Sequence, residues 1–301
     1  MSRGYKRKLA MFRRGADAFR MITGASEALY PCPICGLLLP EEAIQAGELT
    51  EEHAPPRALG GRPMALVCRP CNSLAGHTID AALDDLQDLS RLSQAMFART
   101  HAYSRPTRLR IGEVEVNAEI RVREPGGAFE IHVLESRNNP TDFEAQLAHL
   151  SHLRDKPGPG SIEMNLTGRG PHLWRSQVGA IKAAYIVAFA ALGYRFISQG
   201  AMAGVRDQIR RPDQRIIEGA VVLSDPSIHH RNMLWIMEEP VKALAVSFSI
   251  MTVLLPRPES PPDLYAQISG LVEASNEVHF SGSPLRWPDR MILRFDQVRA
   301  A

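Results

Sequence analysis

Membrane-length apolar runs, a strong net charge and dispersed cysteines are all missing from this chain, and each absence narrows what it can be. The most apolar stretches, 183–193 and 243–255, stop short of the roughly 18–20 residues that a bilayer-spanning helix requires. The basic residues near the start are not followed by the apolar segment of a secretory signal, so the expected location is the cytoplasm, with no membrane partner. Lys plus Arg number 35 against 33 Asp plus Glu, a net charge of +2. The total therefore argues neither for nor against nucleic acid, and the distribution of charge must decide. No repeat and no low-complexity tract is present. What remains is 301 residues, 45% hydrophobic and 23% charged. That is the composition of a globular chain of about two domains with a real core, and it excludes disorder as the overall state.

The four cysteines all lie in the first quarter, as Cys32-Pro-Ile-Cys35 and Cys68-Arg-Pro-Cys71. Two C-x-x-C pairs about thirty residues apart read as a tetrathiolate zinc site. Each pair makes a tight turn that aims two thiolates at one point, and Zn(II) accepts four soft ligands in a tetrahedron. The alternatives are two disulfides or four unrelated thiols. A cytosolic setting disfavours disulfides, and unrelated thiols would seldom pair so regularly. Such a site holds a fold together and does not by itself indicate catalysis.

Between the pairs runs Thr50-Glu51-Glu52-His53-Ala54-Pro55-Pro56-Arg57-Ala58-Leu59-Gly60-Gly61, and Asn72-Ser73-Leu74-Ala75-Gly76-His77 follows Cys71 directly. The order C-x-x-C, Glu-His-x-x-Pro with Gly-Gly, then C-x-x-C-Asn resembles the HNH endonuclease family of ββα-metal nucleases, in its zinc-bracketed endonuclease VII-like branch. The resemblance covers about residues 30–82. It implies that His53 is the general base, since imidazole titrates near neutrality. It implies that Glu52 and Asn72 hold a divalent cation, and oxygen ligands of this kind suit Mg(II) or Mn(II) better than a second zinc. The expected partner is then DNA, with room for a homodimer or a partner subunit. Restriction or phage defence would suit such a protein by analogy.

The local pattern agrees with a hairpin and a helix. Residues 49–55 form the first strand, Gly60-Gly61 the turn and 65–67 the returning strand, with Asn72 opening a helix that runs to about residue 98. In that helix Leu83, Leu86, Leu89 and Leu92 make a core stripe. Neighbours on a regular strand point to opposite faces, so Glu52 and His53 converge only if the strand bends, which Pro55 and Pro56 would allow. The family's middle asparagine has no counterpart in Arg62-Pro63-Met64-Ala65; a backbone carbonyl would have to orient the imidazole. That departure favours a rival reading, a zinc-stabilised nucleic-acid-binding module on a catalytically degenerate HNH scaffold. His77, about 140° round the helix from Asn72, is either phosphate-facing or merely solvated.

The first twenty residues hold Arg3, Lys6, Arg7, Lys8, Arg13, Arg14 and Arg20 against one acid, Asp17. Leu9, Phe12, Ala16 and Phe19 fall at helical spacing. A basic amphipathic helix beside a nuclease motif would track the DNA backbone, with Lys6, Arg7, Lys8, Arg13 and Arg14 joined by Arg57 and His77. A solvated charge run and a membrane-surface helix are the alternatives.

The expected fold is α+β: a basic N-terminal helix (1–29), an HNH ββα-metal module with its four-cysteine zinc site (30–104), a small β-meander plus helix (105–156) and a C-terminal α+β domain (157–301). Alternating residues from Leu109 to Val133 predict the meander, with 125–127 as a turn. Residues 141–153 predict a helix, and 155–160 a linker. Beyond it come a long buried helix over 174–196, a second over 201–211, and strands over 216–223, 233–237 and 243–254. His229-His230 reads as a loop, and the three tryptophans are too scattered to form a stacking platform.

Overall fold

A computed structural model describes residues 2–94, 102–111, 114–123, 129–139, 172–223, 232–274 and 278–293. Helices and antiparallel sheets are mixed, as the α+β expectation requires. The chain divides into two compact units: residues 1–84 together with 173–301, and residues 85–172. The division therefore differs from a row of consecutive domains, because the first and last segments share one core.

The first unit begins with helix α1, Arg3–Thr23, capped by the Ser2 side chain and ended by Gly24 at φ 71°. Its buried face is Met11, Phe12, Gly15 and Ala16, while Leu9 and Phe19 are half-buried. Gly15 lies against the Tyr30 ring, where an added Cβ would come within 2.3 Å of a ring carbon. Strands β1 (Tyr30–Pro31) and β2 (Leu38–Leu39) form a small knuckle. Strands β3 (Leu49–Ala54) and β4 (Arg62–Cys68) form the predicted hairpin, and Gly60 turns at φ 78°. Gly61 is obligatory in its own way, since a Cβ there would overlap the Pro55 carbonyl.

Helix α2, Arg69–Ala75, starts three residues before Asn72, with Cys68 as its N-cap and Pro70 in its first turn. A π turn over Gly76–Asp80 links it to α3, Ala81–Ser93. The leucine stripe of α3 fades along the helix: Leu83 is fully buried, Leu86 half-buried and Leu89 exposed. Three-residue steps advance about 300°, so the row slips roughly 60° per step and leaves the core.

The second unit holds a three-stranded antiparallel meander, β5 (Tyr103–Ile111), β6 (Val114–Val122) and β7 (Phe129–Val133). Period-two burial of Val116, Ala118, Ile120 and Val122 gives it one apolar face. The predicted turn at 125–127, helix at 141–153 and linker at 155–160 lie outside the described residues, as does His229-His230.

In the first unit again, α4 (Leu173–Leu192) is buried almost all round. Gly193 at φ 77° separates it from the short α5, Tyr194–Ile197, so the expected single helix is broken there. Helix α6, Ala203–Arg210, exposes Arg210, while Arg206 donates to the Ile197 carbonyl. A five-stranded antiparallel sheet follows in the order β12-β9-β10-β11-β8, formed by β8 (Val221–Leu223), β9 (Met233–Glu239), β10 (Ala243–Phe248), β11 (Met251–Leu255) and β12 (Ser281–Leu285). Residues 243–254 are thus two strands, turning at Ser249 with φ 53°. Helix α7, Leu264–Ala274, covers one face of the sheet with Leu264 and Ile268.

Candidate metal centre and the hairpin beside it

The four thiol sulfurs come within 4.8 Å of one another, with Cys35 and Cys68 3.6 Å apart. A tetrahedron with Zn–S bonds of about 2.3 Å has edges near 3.8 Å, so the set can hold a metal ion such as zinc. None of the four is in a disulfide. The geometry is built by backbone. Cys32 N–H donates to the Leu37 carbonyl at 2.9 Å and Gly36 N–H to that of Cys32 at 2.8 Å, with Gly36 at φ 78°. Cys68 N–H donates to the Cys32 sulfur at 3.4 Å, and Arg69 N–H to Glu48 at 2.7 Å. Hydrogen bonds from Cys32 and Cys71 push the Cys68 thiol down to about 4, while contacts with Cys32 and Cys68 push Cys71 up.

Two tyrosines from the far end of the sequence tie this knuckle down. Tyr185 on α4 donates to the Pro33 carbonyl at 2.5 Å, and Tyr194 on α5 to that of Pro31 at 2.7 Å. Tyr30 stands beneath the hairpin, donating to the Leu66 carbonyl at 3.0 Å and accepting from its N–H at 3.2 Å. Burial pushes all three phenols upward, so they remain neutral donors. Sequence reasoning missed both helical tyrosines, which carry no motif.

On the hairpin, the residues that the resemblance implies as catalytic are spread over two faces. Thr50 and Glu52 share one: Asn72 on α2 donates to Thr50 Oγ1 at 2.8 Å, and Lys182 on α4 lies 2.7 Å from Glu52 Oε1. Glu51 lies on the other, gripped by Arg7 of α1 through two bonds of 2.7 Å. Strand alternation puts His53 with Glu51. The pairing does slip between Glu52 and His53, but the surplus residue, Met64, is on the partner strand. His53 is half-buried; burial lowers its pKa, Glu51 opposes this, and Arg57, Arg7 and Lys182 add to the lowering.

The Glu52 face is closed by charge. Glu52 is 4% exposed and Lys182 1%. Lys182 Nζ also lies 2.6 Å from Asp80 Oδ2. Burial raises Glu52 to about 7 despite the attraction of Lys182, and the Asp80 charge adds to the rise. Lys182 feels the same burial as a lowering, but the two carboxylates outweigh it and hold the ammonium charged. Close approach of the helices makes the contact: Gly179, one turn before Lys182, would carry a Cβ 2.4 Å from the Ile79 carbonyl in the π turn. The divalent cation implied by the resemblance does not fit Glu52 as it stands, because the Lys182 ammonium already holds that carboxylate at 2.7 Å.

The basic residues also divide. Arg13 lies 3.7 Å from Glu41, and Arg14 donates to the Met291 carbonyl. With Arg7 on Glu51, three of the five α1 cations singled out are engaged within the unit. Lys6 is exposed and Lys8 half-buried. Arg57 and Arg62 are exposed on either side of the hairpin turn, and neither has an acidic partner among the described residues. His77 is exposed on the π turn. No family model matches this chain, and neither a curated protein nor a solved structure is found to be similar to it.

Proposed function

We propose that the knuckle, hairpin and α2 form a zinc-held module that binds DNA through its phosphates, on an HNH-like scaffold whose Glu52 is withdrawn from metal chemistry. The observation that carries this reading is the hairpin tip. Arg57 and Arg62 are solvent-exposed and have no acidic partner among the described residues, beside the half-buried His53, where phosphate oxygens can take up their hydrogen bonds. Lys6 extends the positive surface onto α1. Zinc serves here as a structural ion and stays out of the chemistry.

The second reading keeps hydrolysis: an HNH-type endonuclease with His53 as general base, in which Lys182 would have to release Glu52 before Glu52 and Asn72 could hold Mg(II) or Mn(II). What favours it is the partly accessible His53 imidazole on the hairpin, whose pKa burial lowers, favouring the neutral form that accepts a proton. The first reading predicts salt-dependent binding of duplex DNA by fluorescence anisotropy in zinc buffer lacking Mg(II) and Mn(II), weakened in Arg57→Ala/Arg62→Ala. It also predicts an intact plasmid when either ion is added. Cleavage that requires the added ion and vanishes in His53→Ala would establish the second reading instead.

A further inference from the structure

A buried and a partly buried carboxylate bridged by one ammonium make a cation site with its cation already in place. Lys182 Nζ reaches Glu52 Oε1 at 2.7 Å and Asp80 Oδ2 at 2.6 Å. Each carboxylate keeps its second oxygen buried and without a hydrogen-bond partner among the described residues, Glu52 Oε2 and Asp80 Oδ1. Unpartnered buried carboxylate oxygens are expensive, and a monovalent ammonium with three donors leaves both in that condition. Two carboxylates facing a common centre with spare oxygens are hard ligands for a hard divalent ion. The centre is occupied by a side chain 102 residues from Asp80, delivered by the only charged residue between Val178 and Leu192.

We propose that Lys182 is the resident cation of this site, standing where a divalent ion would bind Glu52 and Asp80, and that removing its ammonium uncovers a Mg(II)- or Mn(II)-binding site. The wild-type module accordingly takes up no divalent ion at Glu52. The site is one of internal charge balance, and its ion preference is set by α4 rather than by the hairpin. This inference goes beyond DNA binding and does not depend on it, because it is read from metal uptake alone.

The test titrates zinc-loaded, full-length protein with Mn(II) and follows free Mn(II) by electron paramagnetic resonance. Wild type and Glu52→Gln are expected to give the same curve. Lys182→Ala is expected to take up one further Mn(II), with a rise in melting temperature on Mn(II) addition, and both gains disappear in Lys182→Ala/Glu52→Gln. Lys182→Ser supplies the same comparison if the alanine variant folds poorly, and folding of either variant only when Mn(II) is present would also support the proposal. Uptake by wild type that is lost in Glu52→Gln overturns it. So does the absence of added uptake in a folded, zinc-loaded Lys182 variant. Loss of DNA affinity in any variant, without a change in Mn(II) uptake, bears on the proposed function and leaves this inference standing.

Discussion

The four-cysteine hairpin and the C-terminal five-stranded sheet belong to one compact unit, yet they are held together by different physics. The sheet is an apolar assembly. Every residue of β10 and β11 is buried, and Met237, Ala245, Leu254 and Ile268 pack into one cluster under α7. Arg257, the charged residue buried beside it, pairs outward with Glu238 at 2.7 Å. The hairpin has apolar residues too, but it also buries a glutamate, a lysine and two cysteines and leans on three tyrosine hydroxyls. Apolar burial is non-directional and tolerates repacking. Buried charge and metal ligation are directional and fail abruptly when one partner is lost.

The largest break in that comparison comes from the metal. Structural zinc contributes about 10–16 kcal/mol of apparent free energy in small zinc-finger peptides. Stripping it with a strong chelator, or replacing Cys68 by Ser, should therefore unfold the hairpin end. Amide hydrogen exchange is the measurement. Protection of β3 and β4 should be lost while β10 and β11 keep most of theirs. Equal loss in both would mean that the unit has a single cooperative transition.

Second comes the ion cluster. Lys182→Ala leaves the buried Glu52 and the partly buried Asp80 without their counter-ion, a change that costs about 3–5 kcal/mol where a buried pair is broken. Leu254→Ala in the sheet removes a comparable volume of apolar contact and costs about 2–5 kcal/mol. The two differ in rescue. Neutralising both acids, as Glu52→Gln/Asp80→Asn, should restore much of the stability lost in Lys182→Ala and do nothing for Leu254→Ala. Denaturant melts of the combined variants check this; additive losses at Lys182 would show that the cluster is not coupled.

What the sequence revealed follows the same divide. The cysteine quartet was legible because metal spacing is local and coded by residue type, and the hairpin and meander were legible through alternation. Asn72 was expected beside His53, but it bonds Thr50 on the opposite face of the strand, a contact that no local pattern announces. Lys182 was not legible as a partner of Glu52, since nothing within a few residues of either points to the other. A signal was present all the same: one lysine inside an apolar helix must find an acid or reach solvent. The turn at Ser249 was hidden because Phe248-Ser249-Ile250 contains no turn-forming glycine, proline or asparagine. Strand β12 was hidden for the opposite reason, since Ser-Gly-Ser-Pro-Leu has the composition of a loop.

A third, smaller effect separates the regions by pH. The folded-state pKa of Glu52 is raised from 4.5 to about 7. The native state then binds more protons than the unfolded state between these values, so the Glu52 contribution is complete below about 4.5 and is lost as pH rises through about 7. The size is of the order of 3 kcal/mol at 1.36 kcal/mol per unit. Thiolate protonation also weakens zinc in acid, which works in the other direction. The readout is therefore the difference between wild type and Glu52→Gln, which share the four-cysteine site. That difference should shift against the wild type from pH 5 to pH 8, and a flat difference would show that Lys182 holds Glu52 ionised throughout.

The smallest effect tests whether the two helices meet as closely as the cluster needs. Gly179→Ala places a Cβ 2.4 Å from the Ile79 carbonyl and 2.9 Å from Leu83 Cβ. The first contact is backbone in a π turn and cannot swing aside, so α4 must shift, at about 1–3 kcal/mol for overpacking. The shift carries Lys182 away from Asp80, one turn along the same face. Gly179→Ala should therefore lower the melting temperature and also reduce the coupling between Lys182 and Asp80 in a double-mutant cycle. A lowered melting temperature with unchanged coupling would mean that Lys182, four methylenes long, follows its acids across the widened gap, and that helix contact and ion cluster are separate sources of stability.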